Sequence, residues 1–311
     1  MVVKIWIGVT DKDWFEYLTR LEPDEVNFWQ PSGSRNFRVL QPGEPFLFKL
    51  HSPNNYIVGG GFFVRYSALP TSLAWDAFER KNGVSSLDDL RTRVRKYRKE
   101  DKSVDPVIGC NVLAEPFFFS RSQWIPVPSS WSGNIVQGKS YQTSSTEGQA
   151  LWHSVRQVIT IGHTAMDSGQ ATQESDGLRF GAEYLTRGRL GQGAFRVLVT
   201  DAYQRRCAVT GEKTLPVLDA AHIKPFASSG PHRISNGILL RSDLHKLFDL
   251  GYVTVTPDLH LEVSPRLREE WHNGRVYYEH HGQELEFRPA DKASLPAREY
   301  LQWHNEYVFK S

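Results

Sequence analysis

The chain has 311 residues, 40% of them hydrophobic and 23% charged, with a formal net charge of +2 at pH 7. That length accommodates two domains with separate cores, and the composition excludes a disordered or fibrous chain. No apolar run approaches the ~20 residues of a membrane span, and the start lacks a signal-peptide pattern, so a cytoplasmic protein with no membrane partner is expected.

Two cysteines, Cys110 and Cys207, lie too far apart in sequence to suggest a disulfide framework. Cys207-Ala208-Val209-Thr210 lacks the second thiol of a C-x-x-C pair, so no structural zinc is expected and Cys207 reads as a small buried hydrophobe. The net charge is too small to name a partner by itself. The 17 Phe, 12 Tyr and 9 Trp suit buried cores and equally suit stacking on bases.

Residues 2–9 read as a strand, and Thr10 with Asp13 has capping-box spacing ahead of a helix with Trp14, Phe15 and Leu18 on one side. An aromatic followed by turn residues, Asn27 to Gly33, comes next. Strands at Pro45–His51 and Tyr56–Tyr66 are joined by the turn Ser52-Pro53-Asn54-Asn55. Gly59-Gly60-Gly61 inside the second strand predicts a bulge or a close approach by another backbone or a ligand.

A Trp with a polar loop, then LQPGEPFLFKLHS, then YIVGGGFF resembles the PUA-like superfamily, and within it the EVE and related modified-base readers. Glu44 stands where those domains carry their acidic residue after Gly. The resemblance implies a β-barrel with helices and a pocket for a base flipped out of duplex DNA. Flipping costs a few kcal/mol, recovered by stacking and by hydrogen bonds to the base edge. In that reading Trp29 stacks, while Ser32, Lys49, His51 and Ser52 supply polar edges. The competing reading places Trp29 and Phe48 in the core.

Residues 85–102 predict a helix with Ser85 as cap, Asp88 in its first turn and an apolar stripe of Leu87, Leu90, Val94 and Tyr97. Arg91, Arg95 and Arg98 belong to its basic remainder, which is either a solvated face or a surface that tracks phosphates. Further strands are expected at 113–119 and 124–127. The loop 131–141 mixes aromatics, amides and a Lys in a composition suited to a pocket wall or a DNA contact. A helix at 147–158 then closes a first domain, 1–160. Residues 161–186, rich in Gly, Ser, Thr and Gln, read as a linker. Arg187 and Arg189, beside glycines, are either backbone-phosphate contacts or solvated charges. A helix at 194–204 follows.

From Arg206 to Gly251 the pattern is compact: strand character at 214–220, a Gly/Ser/Pro loop after His222, a return strand at 237–240, and a helix opened by Ser242 and ended by Gly251. His222, Asn236 and His245 stand out from this apolar frame. The run AAHIKP, then SNGILL, then DLHKLFD resembles the HNH nucleases of the ββα-metal class, in the branch found in predicted restriction endonucleases.

The resemblance implies a second domain, 187–311, that hydrolyses phosphodiesters with one divalent metal, Mg2+ or Mn2+. His222 would be the general base, Asn236 would pin the loop or the base imidazole, and His245 would ligate the metal. Many relatives carry a metal-binding Asp or His directly before the base, where this chain has Ala221. Asp219 lies two residues earlier on the same strand face, and Asp249 lies four residues after His245 on the same helix face. Both are therefore candidate ligands.

After Gly251, strands are expected at 252–256, 259–263, 275–278 and 284–287, with a closing helix at 296–307. His280-His281, read on a strand, would point opposite ways and share no metal. The whole reads as an α+β protein, a restriction endonuclease acting on double-stranded DNA that carries a modified cytosine. A homodimer is one way such enzymes cut both strands, although no stretch specifies its interface. Cleavage of unmodified sequences, or nucleic-acid binding by an inactive HNH domain, are the alternatives.

Overall fold

The computed structural model describes residues 2–34, 36–98, 101, 103–166 and 190–311. Its contacts separate two units, Met1–Arg189 and Leu190–Ser311. Most of the expected linker, and both Arg187 and Arg189, lie outside the described residues.

In the first unit the elements run β1 (Lys4–Thr10), α1 (Lys12–Leu21), β2 (Glu25–Gln30), β3 (Pro45–Leu50), β4 (Tyr56–Pro70), α2 (Thr71–Phe78), α3 (Leu87–Tyr97), β5 (Val107–Phe118), β6 (Ile125–Pro126), β7 (Gly138–Gln142) and α4 (Thr146–Met166). The sheet order is β2-β5-β4-β3-β1-β7, with β6 added to β4. The β1–β3 pair is parallel and the other pairs are antiparallel.

Strand alternation explains why all six residues of β3 are buried. Phe46, Phe48 and Leu50 join Trp14, Phe15 and Leu18 of α1 in one core. Leu47 joins Ile5, Ile7 and the α4 residues Leu151, Trp152 and Val155 in another. A strand covered on both faces loses the polar alternation of a surface strand.

The expected closed barrel is replaced, among the described residues, by an open mixed sheet, because β2 and β7 end the order without pairing. Closure requires ladder bonds between the terminal strands. β4 has register shifts between Gly60 and Phe62 and between Phe63 and Arg65. A Cβ on Gly59 would lie 2.3 Å from the Phe117 carbonyl oxygen, and one on Gly60 would lie 2.7 Å from that of Phe46. The glycines therefore mark both a bulge and close approach by neighbouring strands.

Two helix starts differ from expectation. Ser86, not Ser85, caps α3, its extended backbone letting Oγ accept from the Asp89 N–H at 3.1 Å. Thr10 ends β1, and Asp11 precedes α1 without a side-chain cap. α3 also ends at Tyr97 rather than 102, and α4 runs on into the first residues assigned to the linker.

In the second unit α5 (Gln192–Ala202) packs on a hairpin of β8 (Leu218–His222) and β9 (Gly237–Arg241), followed by α6 (Ser242–Asp249). A hairpin of β10 (Val253–Val255) and β11 (Leu261–Val263) comes next, then α7 (Arg266–Trp271), α8 (Arg275–Tyr278) and α9 (Arg298–Tyr307). Phe195 and Val199 of α5 fill the space over Gly237, where a Cβ would lie 2.4 Å from Val199. That position must be glycine for the helix to reach the hairpin.

Residues 275–278, expected as a strand, form one helical turn after Gly274 at φ 107°. Hydrogen bonds from Tyr277 to Asp243 and from Tyr278 to the Ser264 carbonyl override the β-propensity of the segment. The strand expected at 284–287 is reduced to a single bridge, His260 to Glu284. His280 and His281 lie in a turn, and His281 Nδ1 accepts the Val263 N–H at 3.0 Å.

Candidate active site

The β8–β9 hairpin and α6 bring together residues separated by more than twenty positions. His222 ends β8, facing Gly237 at the start of β9. Asn236, fully buried, ties the intervening loop on both sides. Its Oδ1 accepts the Lys224 N–H at 2.9 Å, and its Nδ2 donates to the carbonyls of Lys224 (2.9 Å) and Pro231 (3.0 Å). All three bonds are internal to the loop, so Asn236 fixes its shape.

Ser242 is not the helix cap. Its hydroxyl donates to the Val217 carbonyl, and the helix is preceded by Arg241, whose guanidinium pairs with Asp243 through two contacts of 2.7 Å. The far end of α6 closes as expected. Gly251 (φ 76°) donates its N–H to Phe248 and Tyr252 donates to Leu247, which is the Schellman pattern. Leu244 and Phe248 are buried, which leaves His245 and Asp249, one turn apart, on the side toward β8 and solvent.

His222 stacks on Phe195, ring centroids 3.8 Å apart and planes 14° from parallel. Burial lowers its pKa to about 4, with the neighbouring His232 and His245 adding to the effect. It is therefore neutral at physiological pH and keeps a nitrogen lone pair, which a base requires. For His245, burial pulls the pKa down, but Asp219 and Asp249 outweigh it and hold the ring above the usual histidine range.

The two carboxylates flank His245 on opposite edges. Asp219 Oδ2 lies 3.6 Å from Nδ1 and Asp249 Oδ2 lies 3.4 Å from Nε2. One imidazole presents only one nitrogen to a given ion, so the two carboxylates cannot share an ion with it. The His245 ring, then Ser242 and Arg196, hold the Asp219 carboxyl below its usual pKa, whereas burial pushes that of Asp249 up.

Two ligands about 2.1 Å from one ion stand roughly 3.0–3.4 Å apart. His245 with Asp249, at 3.4 Å, falls at the edge of this spacing and His245 with Asp219, at 3.6 Å, just beyond it, so either pair fits a divalent cation on its own edge of the ring. Among the described residues no group of three or more His, Cys, Asp and Glu converges as a ligand cluster. The remaining positions of an ion would fall to water or phosphate, as in an open catalytic site.

Residues 207–256 match the family model described as HNH endonuclease. The C-terminal unit carries an HNH endonuclease domain. No curated protein matches the chain. Among solved structures, a mutant ASCH protein from Zymomonas mobilis aligns over 49% of this chain and 97% of its own, at 8% identity and a TM-score of 0.33. A modification-dependent restriction endonuclease, TagI, aligns over 92% of this chain and 76% of its own, at 13% identity and a TM-score of 0.27.

Sequence reasoning missed His232, whose Nδ1 lies 2.9 Å from His222 Nε2. It also missed Phe195 and Arg196 of α5, which reach the HNH hairpin from outside the motif. The one available signal was a third histidine in the loop between His222 and Asn236.

In the first unit the residues expected around a base pocket fall into two groups. Trp29 pairs with Cys110 and, through it, with Ser67 near the end of β4, whereas Lys49 pairs with Ile57 near its start. The Trp29 indole N–H donates to the Asn82 carbonyl (3.0 Å), which also accepts from Trp14. Ser32 is exposed, with its Oγ 2.7 Å from that of Ser34.

At the other end, Lys49 is only 3% exposed. It donates to Asn55 Oδ1 at 2.7 Å and sits 5.1 Å from the Trp131 ring centre, and burial lowers its pKa. His51, half exposed, lies 3.5 Å from Asp11, and Ser52 is exposed in the following turn. Of the basic helix residues, Arg91 faces Asp88 and Asp105, Arg98 binds Asp101 and the carbonyls of Pro31 and Val107, and Arg95 is exposed.

Proposed function

We propose that the protein is a modification-dependent DNA restriction endonuclease. Its HNH domain would hydrolyse a phosphodiester, and its N-terminal unit would read a modified cytosine turned out of the duplex. One observation supports the reading most: Asp219 and His245 face each other beside a neutral His222, inside the segment that matches the HNH family.

In this reading His222 accepts a proton from the attacking water. Asp219 and His245 hold one divalent cation, Mg2+ or Mn2+, which when bound supplies positive charge beside the phosphate. Asp249 holds the opposite edge of the His245 ring, and Asn236 keeps the loop in shape. Such a site discriminates sequences poorly, so selection falls to another module. The end of β3 offers a candidate reader, with Lys49, His51 and Ser52 as polar edges and Trp131 as an aromatic face. Trp29 and Ser32 belong to the far end of β4 and would contribute to DNA contact only there. Arg95 is the helix arginine whose exposure suits a phosphate.

The test is a digestion panel of phage DNAs carrying plain, methylated, hydroxymethylated and glucosylated cytosine, with Mg2+ or Mn2+. Cleavage confined to one or more modified DNAs is expected. Preferential cutting of plain DNA would make it a sequence-specific nuclease. Binding without cleavage of any substrate would leave an inactive HNH domain, a reading that Ala221 favours.

A further inference from the structure

We propose that His232 positions His222 by accepting its Nε2–H, which leaves Nδ1 of His222 as the atom that takes the water proton. The proposal rests on the reading of His222 as general base. A neutral imidazole has one N–H and one lone pair. With 2.9 Å between His222 Nε2 and His232 Nδ1, two arrangements are open. If His232 donated, His222 would carry its proton on Nδ1, both its nitrogens would be occupied and it could accept nothing. If His222 donates, Nδ1 keeps its lone pair. Only the second arrangement is compatible with His222 as the base.

The loop is built to hold His232 in place. Its ring lies parallel to Phe226, 4.7 Å between centroids and 10° between planes. Asn236 binds the carbonyl of Pro231, the residue just before it. A Cβ on Gly230 would lie 1.8 Å from the Lys224 carbonyl oxygen, so the loop closes tightly on itself at that point. Phe195, His222, His232 and Phe226 form a continuous run of rings from α5 to the loop. In the reaction a water O–H bond breaks and its proton goes to His222 Nδ1, the oxygen bonds to phosphorus, and the scissile P–O bond breaks with its electron pair on the departing sugar oxygen, which takes up a proton from bulk water. The imidazolium formed keeps its Nε2–H on His232, which stabilises the new charge and holds the ring in line.

Two measurements on the full chain test this. Side-chain nitrogen NMR of the metal-free protein, with His222 assigned by its loss in His222→Gln, should show the Nε2–H tautomer; the Nδ1–H tautomer would overturn the proposal and needs no position-232 variant to be seen. Second, single-turnover cleavage of the DNA preferred in the panel is compared for His232→Phe and His232→Asp. The Phe variant should cut about 10- to 100-fold more slowly at unchanged DNA Kd, the range expected when a group orienting a functional imidazole is lost. The Asp variant, which can only accept, should recover to within about threefold of wild type. Full-speed cutting by the Phe variant, or no recovery by Asp, refutes the role of His232. His222→Ala separates the layers: if it cuts at the wild-type rate the base assignment itself fails, whereas an inactive His222→Ala beside a fully active His232→Phe removes only the positioning role.

Discussion

The two units handled their candidate residues differently. In the C-terminal unit Asp219 and Asp249, chosen for type and spacing, flank the ring of His245, which in turn helps lower the pKa of His222. In the N-terminal unit Trp29 and Ser32 ended at one end of β4 and Lys49, His51 and Ser52 at the other. The contrast has a physical origin. A hairpin followed directly by a helix fixes relative positions through short connections. A sheet whose neighbours are distant in sequence depends on register, which no local pattern records.

His222→Ala gives the widest test of the contrast. Loss of a general base should lower the single-turnover rate by about 10²–10⁴-fold with DNA affinity unchanged. A comparable loss from Trp29→Phe would reverse the ranking of the two regions, since that change should alter cleavage less than about twofold while removing one indole hydrogen bond.

Acid should weaken the C-terminal core through His304. Its ring stacks on Phe248 at 3.7 Å, contacts Thr254 Oγ1 and the Phe248 carbonyl, and burial lowers its pKa to about 4. The unfolded chain takes up a proton near pH 6.5 and the folded chain only near 4. The stabilisation is therefore complete above about 6.5 and fades as pH falls through 4, by about 3 kcal/mol in all. Urea unfolding at neutral and acid pH should show this loss, and His304→Gln should flatten it.

Asp219→Asn should lower Mn2+ affinity by at least about 100-fold and Asp249→Asn by about 10-fold, measured by calorimetry. The reverse order would move the ion to the Asp249 edge of the His245 ring. The smallest effect is expected at α3. Arg95→Glu should reduce the log–log salt slope of DNA binding by about one unit, while Arg91→Gln, already facing Asp88 and Asp105, should leave it near wild type.

The HNH frame was legible because its signals are local: a buried strand pair, a turn rich in Gly and Pro, and a helix with a glycine stop. The α1 stripe of Trp14, Phe15 and Leu18 was legible for the same reason. Errors gathered where tertiary hydrogen bonds override propensity. Examples are the helical turn at 275–278 and Ser242, whose hydroxyl was drawn away to Val217.

By itself the sequence determined the hairpin–helix frame and marked His222, Asn236 and His245 as the candidate site residues. Those rest on periodicity and on side-chain chemistry, which a chain carries before it folds. Only the tertiary structure decided which carboxylate meets which edge of His245, that His232 reaches His222, and that the N-terminal sheet stays open. Each of these is a distance between parts of the chain that no spacing along it encodes.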